Sequence, residues 1–244
     1  MRVNASADGG PGNAPTVTVL RTLLVPDLRA ARTLPLLGAG VVATVVTVCP
    51  ALFSAHVQPD AAAVLLRIAT VLTAIGLSCL LDDPAARTTA VVPVSRGLRS
   101  GLRMAVGLLA FGLFWGASAG LVRLGVPAEA RQSFPVVGLA VEGVTLAVGT
   151  LALALFGMRR SSLGTGSLVA APVLTLFVVA ALFLPHGLEL FPVPGDPGWS
   201  DATLRWAVLL ALALAGCAAQ LRGERGTKRP TRPPAPSRGP SADQ

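Results

Sequence analysis

Few side chains in this sequence are equipped for chemistry, and their spacing narrows what that chemistry is. Arg67 and Glu142 stand out because each is set in an otherwise apolar run. A lone charge in hydrocarbon is costly, whereas a paired one costs much less. Each lies six residues past the start of a bilayer-length run descending from the outer side, so both sit roughly 9 Å below the outer boundary at ~1.5 Å per residue. This common depth predicts an intramembrane ion pair, acting either as polar lining of a substrate path or as a structural clamp. His56 and His186 fall in outer connections with no third ligand suggested, which excludes a metal site. Cys49, Cys79 and Cys217 lie in apolar runs without a CxxC pair, which excludes a zinc ribbon or a disulfide scaffold. No GxxxxGK[ST] or HExxH occurs, and no enzyme activity and no cofactor is expected, so any ATP hydrolysis belongs to another polypeptide.

The elements that must position these residues follow from composition. Hydrophobic residues make up 52% of the 244 and charged residues 13%, against roughly a quarter charged in a soluble domain. Such a chain cannot coat a water-facing surface, so lipid must surround much of it. A spanning helix needs about 20 apolar residues. Six stretches meet this: Leu34–Ser54, Ala61–Leu81, Met104–Val122, Val136–Met158, Ser167–Pro185 and about Thr203–Leu221. None alternates apolar with polar residues, which disfavours a barrel. The expectation is an all-α polytopic protein with six transmembrane helices over 34–221, preceded by a cytoplasmic segment 1–33 and followed by a disordered, basic, Pro-rich tail 222–244. No cleavable signal is expected before the first span. Arg205 would snorkel from the outer end of the last span, and Trp199 and Trp206 would act as interface anchors there.

The net charge of +8 acquires meaning from this arrangement. Four arginines precede the first span. Arg87, Arg96, Arg99 and Arg103 follow the second, Arg159 and Arg160 follow the fourth, and six basic residues follow the sixth. The opposite connections hold only Arg123, Arg131 and Arg205. By the positive-inside rule both termini are cytoplasmic, in a multi-pass protein of the cell inner (plasma) membrane. The charge is thus a topology signal directed at the lipid bilayer, and no nucleic-acid partner is expected.

Two further features carry interaction rather than catalysis. The inner connection 82–103 interleaves Val91, Val92, Val94 and Leu98 with arginines, so it either offers an amphipathic surface to a cytosolic partner or only fixes topology. Gly112, Gly116 and Gly120 recur four apart in the third span, so they share one helix face. That face is read either as a dimer or sliding interface or, preferentially, as ordinary packing within the bundle.

The six-span pattern with both ends inside, together with Pro93-Val94-Ser95-Arg96 running into the third span, resembles a type-2 (exporter-like) ABC transporter permease. The resemblance implies that the connection after the second span couples to a cytosolic ABC ATPase subunit, with Asp82 or Asp83 as its acid, Pro93 to Arg96 as its core, and Gly101 and Arg103 at the mouth of the third span. Arg87-Thr88-Thr89 stands where the family carries a Gly-Thr-Leu-like turn. It also implies a homo- or heterodimer of permease subunits, and an interfacial elbow helix over Thr16–Thr33, where Arg21, Arg29 and Arg32 fall within about 80° on a helical wheel. The Leu-Asp-Asp-Pro-Ala run and the Arg-for-Lys, Ala-rich composition are similar to permease-like proteins of high-GC Gram-positive bacteria. Separately, Asp83-Pro84-Ala85-Ala86-Arg87 is similar to the opening of the CDP-alcohol phosphotransferase signature. That chemistry needs several carboxylates around two divalent cations, and no Asp or Glu occurs between Asp83 and Glu129. A membrane-bound structural or regulatory protein without transport activity is the alternative to the permease reading.

Overall fold

The computed structural model describes residues 33–53, 57–82, 96–160, 165–185 and 187–226. Every regular element among them is helical: α1 (Thr33–Phe53), α2 (Pro59–Ser78), α3 (Arg96–Gly125), α4 (Val136–Arg160), α5 (Ser167–Leu182) and α6 (Trp199–Gly226). A short 3-10 turn, Cys79–Leu81, prolongs α2, and a single helical turn, Ala128–Arg131, lies between α3 and α4. The N-terminal segment, most of the connection after α2 and the C-terminal tail lie outside the described residues.

Five of these helices are long and apolar enough to cross a bilayer, and α5, with 16 residues, falls short. The fifth expected span, Ser167–Pro185, is therefore corrected to a helix ending at Leu182. The apolar run continues through Phe183 and Leu184, but Pro185 lacks an amide to donate and drives the residue before it away from helical backbone. At ~1.5 Å per residue α5 is about 24 Å long, against a hydrocarbon core of ~30 Å. The other ends shift outward instead. α3 begins at Arg96, two turns before the apolar run starts, because arginine is a good helix former even where hydropathy is low. α6 runs from Trp199 to Gly226 for the same reason.

The bundle is built around the seam between α2 and α4, whose apolar windows are 56% and 61% buried against 17–28% for α1, α3 and α6. α1 and α3 pack on α2, while α5 and α6 pack on α4. Small residues make this possible, since without a strong hydrophobic force between helices in lipid, association depends on close contact. A Cβ on Gly76 would meet the Ala39 Cβ at 2.6 Å and the Pro35 carbonyl oxygen at 2.9 Å. Gly138 and Gly143 accept the indole rings of Trp199 and Trp115 in the same manner. Hydroxyls inside the helices donate back along them, Thr70 to Leu66, Thr73 to Ala69 and Thr150 to Leu146, so these three are satisfied within their own helices. Thr145 donates to Val141 and also to the Trp206 carbonyl, a cross-link from α4 to α6. Leucine, valine and phenylalanine cover the outward faces, among them Leu109, Leu113, Leu176 and Leu212.

The ends are finished by polar contacts. Pro59 and Asp60 occupy the first turn of α2, the first residue preset for helical φ and the second placing negative charge at the positive end of the dipole. Arg131 donates to the Leu124 and Val126 carbonyls, which covers the C-terminal end of α3.

Candidate functional site

Two polar sites join these helices, one near each end. The first, at the end that the arginine distribution leads one to expect on the outer side, centres on Arg67 of α2. Its Nε donates to Glu142 Oε2 at 2.9 Å and its Nη2 to Oε1 at 2.9 Å, a two-pronged contact with α4. The side chains are 14% and 6% exposed. Arg67 also donates through Nη2 to the Pro192 carbonyl at 2.9 Å and through Nη1 to the Phe191 carbonyl at 3.4 Å. Its guanidinium carbon stands 5.2 Å from the Phe191 ring centre and 5.7 Å from that of Trp199, within cation–π range.

The guanidinium is nearly saturated by partners from this chain. Arginine carries five N–H donors, and four of them are directed at Glu142, Phe191 and Pro192. The gap bordered by Leu66, Arg67, Thr70, Leu139, Glu142 and Leu146 is too small to admit a water molecule. In this conformation the pair clamps α2, α4 and the connection between α5 and α6 together. Leaving either member buried alone costs ~3–5 kcal/mol.

The connection between α5 and α6 is held by α6 as well. Arg205 donates to the carbonyls of Glu189, at 2.9 Å, and Gly187, and the Trp206 indole donates to the Leu190 carbonyl at 2.7 Å. These contacts revise two expectations. Trp206 is no interface anchor: it is 1% exposed, with its ring against Phe177 and Phe191. It faces inward because position 206 falls on the side of α6 turned toward α4, where Thr145 donates to its carbonyl. Arg205 binds protein carbonyls where a headgroup contact was expected. The sequence marks both residues but not these contacts, since an acceptor on the backbone leaves no trace in side-chain type.

The second site, at the opposite end of the bundle and on the side expected to face inward, centres on Asp82, buried just past the end of α2. Its Oδ1 accepts from the amides of Gly166, at 2.7 Å, and Ser167, at 3.0 Å, while Oδ2 accepts from the Ser167 hydroxyl. A carboxylate at a helix N-terminus satisfies amides that lack partners within the helix and complements its dipole. Asp82 therefore ties the end of α2 to the start of α5. Gly166 is pressed against the Ala154 carbonyl of α4, and a Cβ on Gly157 would lie 3.0 Å from the Gly166 carbonyl, so this corner is tightly packed. A serine just after a glycine at the start of an apolar run signals a helix start, but nothing local identifies Asp82 as its acceptor.

Of the other residues in the inner connection, Asp83, Arg87, Pro93, Val94 and Ser95 lie outside the described residues. Arg96 is the first residue of α3, so the expected connection 82–103 ends eight residues earlier than its apolar pattern implies. Gly101 lies within α3, open to its surroundings, and Arg103 is buried in the same helix. Gly112, Gly116 and Gly120 share an exposed face of α3, and nothing among the described residues comes within 4 Å of a Cβ built on any of them. The favoured expectation of packing within the bundle is thus corrected, because α3 meets α1 and α2 through its opposite side, with Phe111, Ser118 and Ala119 turned inward.

Among the described residues no three of His, Cys, Asp and Glu converge as a metal site would require. Cys217 is buried, with its thiol directed at the Val148 carbonyl at 3.8 Å. No family model, no curated protein and no solved structure matches this chain, so what can be stated of it is an all-helical protein with five helices suited to crossing a membrane.

Proposed function

We propose that the chain is the membrane-spanning subunit of an ATP-driven exporter, with six spans, both termini cytoplasmic, and two such subunits flanking the transport path. A separate cytosolic ABC ATPase subunit would supply the energy. The observation that carries this reading is the anchoring of the inner connection. It leaves the bundle at Asp82, hydrogen-bonded to the first residues of α5, and returns as continuous helix at Arg96. A force on the residues between them would be delivered to α3 directly and to α5 through Asp82. The Pro93 to Arg96 resemblance and the inner arginines, including exposed Arg159 and Arg160 at the end of α4, support the same orientation. α5 completes the sixth crossing if the bilayer thins around it or Phe183 and Leu184 extend it, each at modest cost.

The closed seam between α2 and α4 favours a second reading, a structural or regulatory membrane protein that moves no cargo. One experiment separates the two. The tagged chain is purified from its native membrane in mild detergent, and co-purifying proteins are identified by mass spectrometry. An ATPase with Walker motifs, whose activity in nanodiscs depends on residues 84–94 of this chain, supports the exporter. Recovery without any nucleotide-binding subunit, and a deletion of 84–94 that changes no export phenotype, refutes it.

A further inference from the structure

The connection from α5 to α6 is neither helix nor strand, yet a run of its carbonyls is engaged by side chains from two different helices. Gly187 and Glu189 are held by Arg205 of α6, Leu190 by Trp206 of α6, and Phe191 and Pro192 by Arg67 of α2. The segment is bounded by Gly187, with φ 94°, and Gly195, with φ 89°. Nothing lies within 4 Å of a Cβ at either position, so left-handed backbone, and not crowding, is what calls for glycine there. Between these pivots Pro192 and Pro194 fix φ and stiffen the chain. Leu190 and Pro192 are buried, while Leu188 and Val193 face outward. The segment lies on the outer end of the α2–α4 seam, with the Arg67–Glu142 pair beneath it.

We propose that residues 187–195 form a hinged cap over that seam, latched by Arg67, with Glu142 holding Arg67 in the latching position. The division of the guanidinium supports this. Its Nε edge faces Glu142, and Nη1 with the second hydrogen of Nη2 faces the cap. When the cap lifts, Arg67 keeps its counter-ion, so no isolated charge is created in the membrane. The freed carbonyls meet water at the outer boundary. Opening is therefore a local event, separable from unfolding of the bundle. The cap does not depend on the ATP-driven reading, because it requires only this chain.

The test is hydrogen–deuterium exchange of the full-length chain in lipid nanodiscs, read on peptides covering the cap and on peptides within α2 and α4. Arg67→Lys keeps a positive charge opposite Glu142 but has a single ammonium that cannot serve the carboxylate and two carbonyls at once. The double variant Arg67→Gln with Glu142→Gln removes both charges and so leaves neither buried alone. In either variant the amides that close the two pivots, Leu188 donating to Pro185 and Asp196 donating to Val193, are expected to exchange about tenfold faster or more, with α2 and α4 unchanged. A rise confined to the cap in at least one variant supports the proposal. Any other pattern overturns it, including unchanged cap exchange in both or a rise spread through α2 and α4 in both.

Discussion

Replacing Asp82 by alanine tests the inner tie between α2 and α5 most directly. The substitution removes an acceptor shared by the amides of Gly166 and Ser167 and by the Ser167 hydroxyl. The site is buried, so water does not readily take its place. A hydrogen bond to a charged group contributes ~1.5–3 kcal/mol and loss of a capping side chain costs ~0.5–2 kcal/mol. The three contacts share one carboxylate and do not add, so the expected loss is about 3 kcal/mol, or roughly 100-fold in the folding equilibrium. Asparagine separates geometry from charge. Its oxygen can still accept from both amides, while its NH2 cannot accept from the Ser167 hydroxyl, and the favourable charge at the helix N-terminus is gone. About 1 kcal/mol is expected. The assay is reversible unfolding in mixed micelles by SDS titration, followed by tryptophan fluorescence, with exchange of peptides at the start of α5 as the local readout. Wild-type stability in Asp82→Ala would refute the tie. Equal damage from asparagine and alanine would refute the geometric account, since the two amide contacts would then contribute nothing beyond charge.

Other substitutions probe the remaining contacts. Gly76→Ala forces a Cβ against the Ala39 side chain and the Pro35 backbone and should cost ~1–3 kcal/mol, whereas Gly116→Ala, on the open face of α3, should change stability by less than about 0.5 kcal/mol; equal effects in the same unfolding assay would contradict the packing described. Trp206→Phe keeps the ring contacts and loses the bond to Leu190, for about 1 kcal/mol, while Trp206→Ala empties a buried site, for ~3–5 kcal/mol; thermal denaturation should rank them in that order. In a variant lacking the native cysteines, Val193→Cys should react with a membrane-impermeant maleimide on intact cells, and Arg222→Cys only after permeabilisation. The reverse pattern would invert the orientation.

Counting residues along an apolar run gives depth in the membrane but not direction around the helix. That difference accounts for what the sequence does and does not make legible. Arg67 and Glu142 are each a similar distance from an outer helix end, so their common level follows from the count alone, and their carboxylate–guanidinium distance is 2.9 Å. The glycines of α3 share a face by the same count, yet which neighbour that face meets depends on where α1 and α2 lie, a property of tertiary arrangement. Trp206 illustrates the same limit, because its distance from the outer end suits an interface and only its direction buries it. Helix ends fail for another reason. Hydropathy measures solubility in lipid, so it extends α5 through Phe183 and Leu184, where Pro185 halts the backbone, and it truncates α3 at Met104, where arginines continue the helix. The contacts of Asp82 with Ser167 and of Arg67 with Pro192 join positions 85 and 125 residues apart. Their acceptors or donors are partly backbone groups, which every residue type carries, so no pattern in side-chain type could have marked them. What the residues do record is the need: a buried acid and a buried arginine each require partners of fixed geometry. The outer cap and the inner tie are where the fold supplies them.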